Sequence, residues 1–314
     1  MRCSIVLAFL LILTSAMAAL AQEGGRRSGA AMDIPPAPVE SEPVAVKWLM
    51  DSLSVNGRET VTSVYLIYCA TNSSKGTGFL LSSGYVVTAH HVIAGCPAEA
   101  LSAISTRAVR LAVTSIAADD SHRDLAALKV QGTPQTGLKI DTRPLDVGLQ
   151  VSTWGHPLGY DGPTPLLAVG YVSGFRADAG TDHSRSPVKH LVVNAAFNPG
   201  NSGGPLLMSG EPAVVGVVVS KHAPMSPYLQ SEIDVLAQNP YGMMYVATDP
   251  AGNRKQVSEA QIVADVLIYF RSMTQVVIGE AVAADELVAF LNDHKIPWVR
   301  FTPPSQTRPS RKPR

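Results

Sequence analysis

Two histidines stand side by side at positions 90 and 91, in the stretch "VVTAHHVIAGC" (86–96), after an apolar run and shortly before Cys96. Histidines so placed suit a proton-transfer role, a metal, or a satisfied position at a disulfide corner. Far downstream, Ser202 sits inside Gly200-Asn201-Ser202-Gly203-Gly204-Pro205, part of "NAAFNPGNSGGPLL" (194–207). Dense glycine permits backbone geometry closed to other residues, so such a loop can expose a hydroxyl and aim successive N–H groups at one spot. An oxyanion would develop there. A serine hydroxyl is a weak nucleophile until a base takes its proton, and the base in turn needs an orienting carboxylate. Asp124 in "HRDLAALKV" (122–130) stands just ahead of an apolar run, where a carboxylate can be partly buried. Taken singly, a glycine-rich turn and a strand-entry aspartate are the plainer readings. The six-residue string followed by an apolar strand reverses that preference for Ser202.

The elements that must position these groups read as strands. Short β-branched runs, "VTSVYLIYC", "GTGFLLS", "YVVTA", "VRLAVTSI" and "DLAALKV", form one group. A second comprises "VGLQVSTWG", "LLAVGYVSGF", "VKHLVVN", "GPLLM" and "AVVGVVVS". Glycine, proline, asparagine and aspartate break them at the density of an all-β sandwich or barrel. The break at 141–148 divides the chain into a first β unit over 58–141 and a second over 142–250. Helices are expected at 44–53, within a linker segment 22–57, and in a C-terminal helical segment 251–300. In the latter, Ser258 and Gln261 have capping-box spacing and Ile262, Val263, Val266, Leu267 and Phe270 line one face. A second helix is expected over 284–293, and "YGMMYVAT" (241–248) reads as one more strand.

Composition excludes several classes. The chain has 314 residues, 46% hydrophobic and 16% charged, enough for a sizeable core. Its 25 basic and 25 acidic residues cancel, so no global field steers nucleic acid. The basic cluster of Arg308, Arg311, Lys312 and Arg314 falls in a proline-rich end, 301–314, read as a disordered tail. Residues 1–21 read as a signal peptide: Arg2, an apolar stretch, then Ala19-Leu20-Ala21, with cleavage after Ala18 as the other option and an uncleaved anchor as the alternative. No other segment is apolar enough to span a membrane. Export places the protein in the periplasm or outside the cell, where Cys69 and Cys96 either pair or stay as buried thiols. No metal site is expected. Neighbouring histidines on a strand point to opposite faces, and His122, His156, His183, His190 and His222 lack ligand spacing.

The order His, Asp, Ser and the three strings around them resemble the trypsin/chymotrypsin-fold serine peptidases, most closely the HtrA/DegP type. "VVTAHHV", "RDLAALKV" and "NAAFNPGNSGGPL" each resemble a motif of that branch, as does "WGHPLGYDGPTPLLAVGYVSGF" (154–175). The likeness covers roughly residues 61–222. It implies two six-stranded antiparallel β-barrels, with peripheral helices and an active site in the cleft between the barrels. It assigns His91 as base, Asp124 as orienter and Ser202 as nucleophile. Gly200 and Ser202 would form the oxyanion hole beside Asn201, and Ala196, Phe197, Val218 and Ser220 the substrate pocket. No cofactor is implied. The substrates would be polypeptides, unfolded ones included, and an oligomer is compatible with the branch.

The departures from that family are specific. Zymogen-type trypsins keep an aspartate before the nucleophile; here it is Asn201, so activation by a buried N-terminal amine is not expected. Trypsins receive Lys or Arg on an aspartate where this chain has Ala196, so cleavage after small or medium apolar residues is expected. HtrA-type proteins usually carry PDZ domains, but residues 226–314 lack the many short strands of one. Relatives often have a small residue where His90 stands, so His90 is expected to tolerate substitution. A non-catalytic chaperone or binding protein on the same scaffold is the alternative function.

Overall fold

The computed structural model describes residues 43–132, 137–160, 162, 164–178, 185–221, 227–248, 254–273 and 278–303. The signal segment, most of the linker, His183, His222 and the basic tail lie outside them. Two compact units are present: residues 227–248 and 254–269 belong to one, and the other described residues to the second.

In the larger unit, helix α1 (Val44–Ser52) and helix α2 (Val55–Thr62) lead into the first sheet. The Ser54 side chain caps α2 by accepting the Gly57 N–H at 3.2 Å. Strands β1 (Val64–Cys69), β2 (Lys75–Leu80), β3 (Tyr85–Thr88), β4 (Leu101–Ser105), β5 (Arg110–Asp120) and β6 (Leu125–Val130) close into a barrel in the order β1-β2-β3-β6-β5-β4. All neighbours are antiparallel. Ile67, Phe79, Val87, Leu101 and Leu128 fill it, as β-branched and large apolar residues on an alternating surface must. A helical turn α3 (His90–Ile93) follows β3.

The second barrel uses β8 (Gln150–Gly155), β9 (Leu166–Asp178), β10 (Val188–Val193), β11 (Pro205–Met208), β12 (Ala213–Lys221) and β15 (Gly279–Ala283). The order β11-β8-β9-β10-β15-β12 closes through the β11–β12 pairing. The two-residue strand β7 (Lys139–Ile140) adds to β12 in parallel. Helix α6 (Ala284–Asp293) packs Leu287, Phe290 and Leu291 into the core.

The sixth strand of this barrel corrects the sequence reading. It comes from "GEAVA" (279–283), inside the segment read as helical, and not from 241–248. Four of its five residues are small or acidic and weak strand formers, so local propensity is silent there. Pairing with β10 and β12 buries all five. Glu280 is accommodated there by Arg176, whose guanidinium lies 2.8 Å from Oε2.

In the smaller unit, helix α4 (Pro227–Gln238) precedes strand β13 (Met244–Thr248), which pairs only with β14 (Arg254–Ser258) among the described strands. The expected capping box opens helix α5 (Glu259–Met273): Ser258 N–H donates to Gln261 Oε1 at 2.9 Å, and Gln261 N–H to Ser258 Oγ at 3.2 Å. The apolar face read from the sequence lies largely at the surface. Val263, Val266, Leu267 and Phe270 are exposed, and Ala264 is fully buried among the described side chains of the helix. Helical period gives the spacing of a stripe but not whether a partner covers it.

Candidate active site

β3 delivers the two histidines onto a helical turn instead of the strand end read from sequence, with Thr88 closing the strand. Their side chains part to different carboxylates. His90 Nδ1 lies 2.6 Å from Asp119 Oδ1. His91 Nδ1 lies 2.7 Å from Asp124 Oδ2, and the His91 backbone N–H donates to Asp124 Oδ1 at 2.9 Å.

Asp124 projects from the β5–β6 turn with φ +54°, a left-handed conformation that aspartate tolerates better than most residues. Asp120 organises this turn, a residue the sequence reading passed over. It accepts the His122 N–H at 2.9 Å and pairs with the Arg123 guanidinium at 3.0 Å. Burial pushes the Asp120 carboxyl up, but the Arg123 and His122 N–H groups and the guanidinium outweigh it and hold the carboxyl below its usual range. Arg123 reaches on to Glu286 and Asp293 of α6, at 3.4 and 3.0 Å. The turn that carries Asp124 is thus tied to the last helix.

The Ser202 loop lies between β10 and β11. Ser202 Oγ donates to the Val219 carbonyl of β12 at 3.3 Å. Its backbone carbonyl accepts the Thr77 N–H of β2 at 2.8 Å, so the loop is fastened to the first barrel. Gly76 marks how close the His91 turn comes to the loop. A Cβ there would lie 2.5 Å from Val92 Cγ2 and 3.1 Å from the Ser202 carbonyl oxygen. At Gly203 φ is +83° and a Cβ would lie 2.3 Å from Thr88 Oγ1, so no other residue fits.

Successive carbonyl groups of this loop, from Asn198 to Ser202, accept hydrogen bonds. Pro199 accepts from Leu158 N–H at 2.7 Å, Gly200 from Thr77 Oγ1 at 2.6 Å, and Asn201 from Gly204 N–H at 2.9 Å. Asn201 and Gly203 N–H groups donate to the Asn198 and Val218 carbonyls. The Gly200 and Ser202 N–H groups have no hydrogen-bond partner among the described residues. Two unpartnered N–H groups beside one hydroxyl are chemically able to receive an anionic oxygen. The Asn201 side chain is buried, its Oδ1 without a hydrogen-bond partner among the described residues.

His156 supports the loop from behind. Its backbone N–H donates to Thr77 Oγ1 at 3.0 Å. Burial and the nearby Lys75 charge lower the pKa of its ring to about 4, so it is neutral at pH 7.

Of the pocket residues expected from sequence, Ala196 is half-buried, while Phe197 and Val218 belong to the second barrel's core. The Phe197 ring occupies the space a side chain at Gly279 would need. The Ser220 side chain lies outside the described residues. Cys69, at the end of β1, and Cys96, after α3, are bridged with their Cα atoms 6.2 Å apart.

Residues 76–217 match the family model of the trypsin-like peptidase domain. The chain is 38% identical over 147 residues to a probable periplasmic serine endoprotease, DegP-like, from Pseudomonas putida strain W619, covering 46% of this chain and 28% of that protein. It is 33% identical over 153 residues to the putative serine protease HhoA of Synechocystis, covering 46% and 36%. It thus spans well under half the length of these curated relatives. Among solved structures, the active form of the Rv3671c protease from M. tuberculosis has the same fold. The TM-score is 0.52 at 20% identity, covering 84% of this chain and 92% of that one. With its two six-stranded barrels and these matches, the chain has the trypsin-like fold, and residues 76–217 are similar to the trypsin-like peptidase domain and to DegP-like and HhoA serine proteases.

Proposed function

We propose that the chain is an exported serine endopeptidase with Ser202 as nucleophile, His91 as general base and Asp124 as the group that fixes the imidazole tautomer. Ser202 Oγ leaves the Val219 carbonyl, gives its proton to His91 Nε2 and bonds to the scissile carbonyl carbon. The C–N bond then breaks as His91 returns the proton to the leaving amine. Water completes the cycle: His91 takes a proton from it as the water oxygen bonds to the acyl carbon, and the acyl carbon–Oγ bond then breaks as His91 returns the proton to Ser202 Oγ. The Gly200 and Ser202 N–H groups, flanked by Asn201, bind the oxyanion. The observation that carries this reading is the pair of unpartnered N–H groups on either side of Asn201, in the loop that bears the hydroxyl.

The substrates on this reading are polypeptides, unfolded chains among them, cut after small or medium apolar residues. No carboxylate stands at Ala196 to receive a cation. Export rests on the N-terminal apolar segment and on the periplasmic names of DegP-like relatives. No helix among the described residues is long and apolar enough to cross a membrane.

A fluorophosphonate probe tests the assignment. It is expected to label the wild type and not Ser202→Ala; equal labelling of both overturns the reading. Chromogenic peptides ending in Val, Ala or Arg test the specificity, and a preference for Arg rejects it.

A further inference from the structure

Thr77 is a first-barrel residue whose hydrogen bonds go largely to the second. It is fully buried in β2. Its N–H donates to the Ser202 carbonyl at 2.8 Å. Its hydroxyl donates to the Gly200 carbonyl at 2.6 Å and accepts the His156 N–H at 3.0 Å. Its own carbonyl accepts Thr88 Oγ1 at 2.7 Å, at the foot of the His91 turn.

We infer that the Thr77 hydroxyl is a positioning group for the peptidase reaction, a clasp that sets the direction of the Gly200 N–H from the opposite barrel. The inference rests on the peptidase reading above. That N–H lies in the peptide plane before Gly200, which meets the next plane at Gly200, where φ is +96° and a glycine turns at little cost. The plane after Gly200 is held by the bond from Thr77 Oγ1 to the Gly200 carbonyl. The plane before it is held by the Pro199 carbonyl on Leu158 N–H at 2.7 Å. Leu158 belongs to the segment 156–158, whose His156 N–H is anchored on the same Thr77 oxygen. One hydroxyl therefore secures the loop and the segment that braces it. Without it, a carbonyl and an N–H both lose their partner in a buried place, which favours rotation of the loop toward other acceptors.

Thr77 touches no substrate, so its removal lowers the rate only through the oxyanion donors. Loss of one such donor lowers kcat about 100- to 1,000-fold, and misplacement of it by less. Thr77→Val, nearly the same shape without the hydroxyl, is expected to lower kcat roughly 10- to 100-fold while KM moves by less than about twofold. Thr77→Ser keeps the hydroxyl and is expected to stay within about threefold of wild type. Thr153→Val is the control, since Thr153 is fully buried and its Oγ1 has no partner among the described residues. It is expected to match wild type in kcat.

The experiment is steady-state peptide hydrolysis by the full chain, paired with hydrogen exchange of the amides of 200–204 in the same variants. Faster exchange of these amides is expected in Thr77→Val and not in Thr77→Ser. A folded Thr77→Val with wild-type kcat overturns the inference, as does a Thr77→Ser as slow as Thr77→Val. Unchanged exchange in Thr77→Val overturns it whatever the activity. Should Thr77→Val not fold, Thr77→Ala carries the same expectations. A wild type that neither takes the fluorophosphonate nor cleaves peptides defeats the peptidase reading instead, and exchange still decides whether Thr77 holds the loop.

Discussion

Both carboxylate oxygens of Asp124 are engaged by one residue, His91: Oδ2 by the ring Nδ1 at 2.7 Å and Oδ1 by the backbone N–H at 2.9 Å. Two bonds from one residue fix the ring's rotation as well as its tautomer, leaving Nε2 as the outward nitrogen. Asp124→Asn offers an amide in place of one oxygen and cannot satisfy both donors. The left-handed backbone at this position suits asparagine. The variant is expected to keep its thermal midpoint and to lose about 1,000- to 10,000-fold in kcat, read in peptide hydrolysis. A loss below tenfold rejects Asp124 as the orienting group.

His90 is held by a different carboxylate, Asp119, at the partly exposed edge of β5. Exposed ion pairs contribute about 0 to 1 kcal/mol. His90→Ala is therefore expected to retain activity within a few-fold and to lose at most about 1 kcal/mol of stability by urea titration. If the folded variant were as inactive as His91→Ala, the division of labour between the two histidines would be wrong.

The Cys69–Cys96 bridge closes a loop 27 residues long that contains β2, β3 and the His91 turn. In the loop-entropy account such a bridge stabilises by about 3.5 kcal/mol. The double variant Cys69→Ser, Cys96→Ser is expected to unfold at lower urea by that order. Free-thiol titration of denatured, unreduced protein supplies the other check: two reactive thiols would show that no bridge forms.

His156 makes stability depend on pH. Its pKa falls from 6.5 to about 4 on folding, through burial and the Lys75 charge. Between those values the unfolded chain binds a proton that the folded chain does not. Its contribution is thus undiminished above pH 6.5 and lost progressively as pH falls toward 4, by about 3 kcal/mol in all. Urea titrations across this window are expected to show the loss in wild type and a flatter profile in His156→Phe. Identical profiles would show that His156 does not titrate as described.

The candidate site could be read from the sequence because each of its strings is local in kind. The strings around His91, Asp124 and Ser202 each combine a reactive side chain with a strand end or a glycine turn, and such strings can be read without knowing their partners. The capping box at Ser258 and Gln261 was legible for the same reason, since a helix start involves residues three apart. The strand at Gly279–Ala283 was not, because its neighbours are β10 and β12 and its own residues favour no strand. The α5 stripe had the right period yet lies exposed, since burial belongs to the pair of surfaces and not to the helix alone.

The sequence by itself determined the candidate residue types, their order along the chain and the strand-rich pattern that carries them. It also determined that no carboxylate stands at Ala196 or Asn201. Tertiary structure alone decided that Asp119 pairs with His90 and Asp124 with His91, that Asp120 holds the turn, and that Thr77 reaches Gly200 across 123 residues of chain. A hydroxyl or carboxylate has many acceptable partners in a sequence. Which one it meets is set by barrel closure, which brings distant backbone groups together and leaves buried polar atoms only a few ways to be satisfied.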